Sequence, residues 1–143
     1  MSSENNDQSI VVTPSSTTSQ QRTILVADDE SHILNVVSLK LRNAGFNVIC
    51  AHDGNEALEM ALTSKPDLLI TDYHMPGLNG LEVVSRLKQS ETCKNLPAIL
   101  LSARGYNLNE ADVRESGISS QLSKPFSPRN LLSLVNQTLG IVA

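Results

Sequence analysis

A strict alternation restricts the fold of this chain more than any single motif. Short apolar runs, each closed by a polar or charged residue, take turns with amphipathic helical stretches five times over. The sharpest run is Leu68-Leu69-Ile70-Thr71-Asp72, which Met75-Pro76-Gly77 then breaks. Continuous apolarity marks a strand buried on both faces, as in the middle of a parallel sheet. Proline removes a hydrogen-bond donor and glycine permits a sharp turn, so the strand ends there. Asp72 then stands at the carboxyl end of a central strand, where open α/β sheets bind their ligands.

Taken in order, residues 1–22 are rich in Ser, Thr, Asn and Gln, with one apolar patch at Ile10-Val11-Val12. Such a segment buries too little apolar surface to offset its ordering entropy, and it predicts a disordered polar leader. Thr23 to Ala27 is the first strand, followed by Asp28-Asp29-Glu30. A helix from about Ser31 to Ala44 places Ile33, Val37, Leu41 and Ala44 on one face, and Gly45 stops it. Val36 and Leu39 fall outside that stripe, which fits either deep burial of the helix or a docking face. Phe46 to Ala51 is the second strand, and Gly54 to Ser64 a helix with Ala57, Leu58, Ala61 and Leu62 apolar. After the Asp72 strand, a helix from Asn79 to about Ser90 carries Leu81, Val84, Leu87 and Lys88 at helical spacing. Pro97 to Leu101 is the fourth strand, ending at Ser102, and a polar helix from about Asn107 to Ser116 stops at Gly117. Ile118 to Ser123 is the fifth strand and runs into Lys124-Pro125-Phe126. Ser127 suits an N-cap and Pro128 a first helical position, opening a last helix with Leu131, Leu132, Val135 and Leu139 apolar. Short connections and right-handed crossovers turn this order into a doubly wound α/β domain over residues 23–140, its five-stranded parallel sheet covered by helices on both faces.

A chain of 143 residues has room for one such core, and with aromatics at 3% that core must be aliphatic. A formal charge of −4 argues against electrostatic capture of nucleic acid or an anionic membrane. No helix-turn-helix is left over once the five units are assigned. No apolar run is long enough to cross a bilayer, and the N-terminus does not read as a secretory signal. A cytoplasmic location follows as the simplest expectation, with Cys50 and Cys93 as buried or idle thiols.

Asp28 and Asp29, Asp72, Ser102 and Lys124 fall at the ends of four different strands. In a parallel sheet those ends share one edge, so the groups converge. Each has a bland explanation alone: carboxylates complementing a helix dipole, a turn aspartate, a loop serine, a surface lysine. Their joint occurrence points to chemistry. Three crowded carboxylates repel one another unless a cation joins them. Carboxylates and water suit a hard divalent ion, and Mg²⁺ takes one or two carboxylates together with phosphate oxygens. A carboxylate beside Mg²⁺ can attack phosphorus and become an aspartyl phosphate. Lys124 is then the cation for the phosphoryl oxygens and Ser102 the hydroxyl donor.

These residues carry a resemblance. Ile24-Leu25-Val26-Ala27-Asp28-Asp29-Glu30, Thr71-Asp72-Tyr73-His74-Met75-Pro76-Gly77, Leu101-Ser102-Ala103 and Lys124-Pro125-Phe126 resemble the receiver domain of two-component response regulators, over about Thr23 to Leu139. The resemblance implies the flavodoxin-like fold with strand order 2-1-3-4-5. It implies that Asp72 accepts a phosphoryl group from a histidine of a partner kinase or phosphotransfer protein and then alters binding of a downstream protein. Asp29 and Asp72 would ligate Mg²⁺ directly, Asp28 through water, and the backbone carbonyl of His74 would complete the protein ligands. Lys124, before a cis peptide to Pro125, would pair with the phosphoryl group, and Ser102 would hydrogen-bond it. The domain would be a phosphoacceptor with slow autodephosphorylation rather than an enzyme. It would be monomeric, or dimeric when phosphorylated.

One departure stands out. Three residues before the lysine the family usually carries Tyr or Phe, and here the place holds Gln121. The usual ring swing is then absent, and transmission to the face of the fourth helix, fifth strand and fifth helix is weaker or takes another route. His74 and Arg104 stand two residues past Asp72 and Ser102, and the resemblance implies that side chains at these places border the path of attacking water and so tune the lifetime of the phosphoryl group. The reading is a stand-alone receiver. The alternatives are a receiver fragment of a larger hybrid kinase or regulator, and a phosphorylation-independent adaptor. An aspartyl-phosphate phosphatase fits poorly, because Asp72-Tyr73-His74 lacks the second Asp of its Asp-x-Asp motif.

Overall fold

The computed structural model describes residues 21–103 and 108–141. Arg104 and Asn107, and leader residues 1–20, lie outside them. Ten elements alternate: β1 Thr23–Ala27, α1 Ser31–Asn43, β2 Asn47–Ala51, α2 Gly54–Ser64, β3 Leu68–Asp72, α3 Gly80–Lys88, β4 Ala98–Ser102, α4 Glu110–Ser116, β5 Ser120–Ser123 and α5 Pro128–Leu139. The strands form one parallel sheet in the order β2-β1-β3-β4-β5. This is the doubly wound 2-1-3-4-5 arrangement expected from the alternation and the resemblance.

The period of two along each strand splits the core into two layers. Ile24, Val26, Leu68, Ile70, Ile99 and Leu101 face α1 and α5, where Leu34, Val37, Leu41, Leu131 and Val135 meet them. Leu25, Ala27, Leu69 and Ala98 face α2 and α3, meeting Ala57, Ala61, Val83, Val84 and Leu87. All five residues of β3 are buried, as a central strand requires. Among the described residues no helix is long and apolar enough to cross a membrane.

Several helical faces are rotated from the expected stripe. In α1 the buried set is Leu34, Val37, Ser38 and Leu41; Ile33 lies at its edge and Ala44 is exposed beyond the helix end. Val36 and Leu39 are 36% and 63% exposed, so deep burial does not explain them. In α2 the sheet takes Ala57 and Ala61, Gly54 is buried against the Leu78 backbone, and Leu62 is exposed. Small residues prevail there because the helix lies close to the sheet. In α3 the buried set is Gly80, Val83, Val84 and Leu87, whereas Lys88 turns its ammonium to the Leu96 carbonyl at 2.9 Å. The fourth helix begins at Glu110 rather than Asn107, because Asn109 Oδ1 caps it by accepting the Ala111 and Asp112 amides. At the other end of the chain, Gln21 donates to the Gly45 carbonyl at 2.9 Å and Arg22 to that of Leu139 at 3.2 Å. These two residues, assigned to the leader by composition, are thus tied to the domain. The thiols are free: Cys50 lies 3.1 Å from Ser38 Oγ, and the buried Cys93 donates to Ala61 O.

Gly80 sets how close α3 comes to the end of β3. Its amide donates to Tyr73 O at 2.9 Å. A Cβ there would run into the Asp72 carbonyl oxygen and stand 2.9 Å from Leu100 Cδ1. Gly80→Ala is expected to cost roughly 1–3 kcal/mol, because a rigid backbone atom cannot move aside as a flexible side chain can. Urea unfolding measures it, and an unchanged midpoint would mean that α3 shifts freely off the sheet.

Candidate functional site

Register carries the chemistry to one edge. Ala27, Thr71, Leu100 and Gln121 form a single row across β1, β3, β4 and β5. Asp28 and Asp72 follow immediately, and Ser102 and Lys124 lie one and two rows further on. Asp28 is fully buried, Asp72 is 5% exposed and Ser102 6%, while Asp29 is exposed.

Asp28 is held on every side. Its amide donates to Ala51 O at 3.1 Å. Its Oδ1 accepts the Glu30 amide at 2.9 Å, and its Oδ2 accepts Lys124 Nζ at 2.9 Å. Lys124 leaves β5 with its amide bonded to Ser102 O at 2.7 Å, which aims the side chain back over the edge. Its Nζ lies 3.3 Å from Asp72 Oδ1 and 3.0 Å from Glu30 Oε1. The Lys124–Pro125 peptide is cis. Thr71 Oγ1 donates to the Asp72 carbonyl at 3.1 Å.

Charge this dense shifts the protonation of its members. Burial, and then the negative charge of Asp28, push Asp72 up from 3.8 to about 6, against the pull of Lys124. Burial also raises Asp28, outweighing its bonds from the Glu30 amide and Lys124. For Lys124, burial favours the neutral amine, but the bonds to Asp28 and Glu30 prevail and hold the ammonium above the ordinary lysine range. Asp28, Asp29 and Asp72 each offer an oxygen within 4.8 Å of the others. An all-carboxylate donor set whose two buried members have raised pKa values fits a hard divalent cation, which would favour their charged forms.

The structure therefore brings Asp28, Asp29, Asp72, Ser102 and Lys124 to one edge. The exposed ring of His74 stands edge-on to Tyr73, with centroids 4.8 Å apart. Gln121 is exposed on β5, where it lines a shallow surface with Val113 and Arg114 of α4. Arg104 is outside the described residues. Glu30 is the member the sequence did not mark. It passes for a helix-dipole carboxylate, and no spacing rule ties it to a lysine 94 residues away.

The profile of the response regulator receiver domain matches residues 24–136. The chain belongs to that family. The alkaline phosphatase synthesis transcriptional regulatory protein PhoP of Bacillus subtilis is 38% identical over 116 residues, which are 81% of this chain and 48% of PhoP. The chain spans about half the length of the curated relatives it matches. Among solved structures, the chemotaxis response regulator CheY4 of Vibrio cholerae has a TM-score of 0.78 at 30% identity, covering 83% of this chain and 99% of that one. The receiver domain of sensor histidine kinase PA1611 from Pseudomonas aeruginosa PAO1 has a TM-score of 0.77 at 24% identity, covering 84% and 98% of the two chains. That protein holds a magnesium ion in its active site cleft.

Asp72 makes stability depend on pH. Its folded value of about 6 lies above its ordinary 3.8, so between them the folded state binds more protons. The folded chain, without metal, therefore loses stability as pH rises through that window. Asp72→Asn removes the effect. It is expected to raise the melting temperature in EDTA by about 5 °C near pH 7.5 and by little near pH 4. Calorimetry at both pH values checks this, and an equal rise at the two would assign the gain to packing instead.

Proposed function

We propose that this receiver domain is a phosphoacceptor, with Asp72 taking a phosphoryl group from a phosphohistidine of a partner histidine kinase or phosphotransfer protein. The observation that carries the reading is the placement of Asp72: buried at the end of the central strand, beside Asp28 and 3.3 Å from the Lys124 ammonium. A carboxylate oxygen of Asp72 bonds to phosphorus as the phosphorus–nitrogen bond of the donor breaks. The electron pair of that bond stays on the imidazole nitrogen, and a ring already protonated at its other nitrogen leaves as neutral imidazole. Lys124 offers N–H donors to the phosphoryl oxygens, and Ser102, at the end of the neighbouring strand, offers a hydroxyl. Positioning and charge neutralisation supply most of the rate in such transfers.

Asp28, Asp29 and Asp72, with the backbone carbonyl of His74, would hold Mg²⁺. When bound it offsets the negative charge gathered between carboxylates and phosphoryl oxygens. The chain's own groups do the rest. Asp28 orients Lys124, and burial keeps competing water from Asp72. The phosphorylated form then shifts a two-state equilibrium that a downstream protein reads through differential affinity, in the cytoplasm and without direct contact to nucleic acid or membrane. Gln121 brings no aromatic ring to that readout.

Intact mass after incubation with Mg²⁺ and acetyl phosphate tests the chemistry. A gain of one phosphoryl group, abolished by EDTA and by Asp72→Asn, is expected. Folded protein that gains nothing would favour a phosphorylation-independent adaptor.

The exposed part of α1 bears on the donor. Val36 lines a groove with Leu39, Pro128 and Arg129, and also the adjoining hollow that reaches Lys124 and Phe126. An apolar rim next to the site suits docking of the helical bundle that bears the donor histidine. Val36→Asp is expected to slow transfer from the cognate kinase about tenfold while sparing labelling by acetyl phosphate. Equal loss with both donors would indicate misfolding.

A further inference from the structure

Lys124 meets three carboxylates, and the third has no part in the chemistry described above. Its ammonium stands 2.9 Å from Asp28 Oδ2, 3.0 Å from Glu30 Oε1 and 3.3 Å from Asp72 Oδ1. An ammonium has three N–H bonds and no acceptor; two are donated to Asp28 and Glu30, and Asp72 lies within ion-pair distance of the same nitrogen. Glu30 is unlike the other two. Its side chain is 61% exposed, against 0% for Asp28 and 7% for Asp72. It sits at the N-cap position of α1 yet makes no side-chain capping bond. Its amide is pinned by Asp28 Oδ1, and its carboxylate reaches over the mouth of the site to Lys124. Nor does it join the carboxylates that could share a cation, which are Asp28, Asp29 and Asp72.

We propose that Glu30 is a positioning residue that competes with the incoming phosphoryl group for Lys124 and so slows phosphorylation of Asp72. The inference rests on the phosphoacceptor reading. A phosphoryl group arriving at Asp72 draws the Lys124 ammonium toward its several oxygens, and the two hydrogen bonds to Asp28 and Glu30 hold the ammonium back. Releasing Asp28 would leave a fully buried charge without its partner, which is costly. Asp72 is the nucleophile itself. Glu30 can turn into water, and an exposed ion pair is weak. Its contact is therefore the one that yields, and the energy of that contact is added to the barrier.

The test is the time course of labelling by acetyl phosphate with saturating Mg²⁺, read by intact mass, for wild type, Glu30→Gln, Lys124→Met and the double variant. Glu30→Gln is expected to label about threefold faster than wild type, the worth of one exposed ion pair expressed as a rate. In the Lys124→Met background the same change should have no effect, because the competition acts through the ammonium. Lys124→Arg is a second background that keeps the charge. Its five N–H donors suffice for both partners, so Glu30→Gln should have no effect there either. An equal acceleration in every background would overturn the proposal in favour of plain repulsion of the anionic donor. Unchanged or slower labelling by Glu30→Gln in the wild-type background would overturn it as well. Wild-type protein that never gains a phosphoryl group would overturn the phosphoacceptor reading and this inference with it, an outcome distinct from the others.

Discussion

The architecture of this protein's active edge depends on one buried ammonium. Asp28 is fully buried, and an unpaired carboxylate in that position would carry a heavy desolvation cost. Lys124 meets it at 2.9 Å and reaches Asp72 from the same nitrogen. One lysine thus ties the end of β1 to the end of β3 from a starting point beyond β5. The bond between the Lys124 amide and Ser102 O brings β4 into the same knot. Four strands that the backbone has already aligned are joined again by side chains, at the level where the chemistry takes place.

Everything beneath that level serves to make the edge rigid. The strand interiors are aliphatic and wholly buried in β3 and β4, so the sheet cannot slip in register without moving apolar side chains to the wrong layer. Gly80 lets α3 close against the Asp72 carbonyl, and Asn79 and Glu82 form a reciprocal capping box that fixes where that helix starts. The result is a polar site with little freedom on a core with little tolerance. Flexibility is left to exposed groups such as Glu30 and Asp29.

Much of this was legible from the chain alone, for identifiable reasons. Parallel strands of continuous apolarity need helices on both faces, so β1, β3 and β4 announced a covered parallel sheet, and the count of five units made it an open one. The polar residues that close them announced the edge. Helical faces were harder. In α1 the stripe Ile33-Val37-Leu41-Ala44 and the observed Leu34-Val37-Ser38-Leu41 differ by a modest rotation, and Ser38 carries no apolar signal although it is buried beside Cys50. The start of α4 was blurred because its polar sequence has little apolar periodicity, and the Asn109 cap that fixes it is one polar side chain among many. Glu30 was invisible as a partner of Lys124 because proximity across a sheet edge leaves no periodicity in sequence.

The edge-on pair of Tyr73 and His74 has an optical consequence. The chain contains no tryptophan and only two tyrosines, Tyr73 and Tyr106. Tyr73 is bonded directly to Asp72, and its ring sits 4.8 Å from an exposed imidazole. The Tyr73 ring lines a groove between α3 and α4, with Leu81, Glu82, Asp112 and Glu115. Ultraviolet emission and near-ultraviolet dichroism from Tyr73 therefore report, without any attached label, on the groove between α3 and α4 just beyond the end of β3.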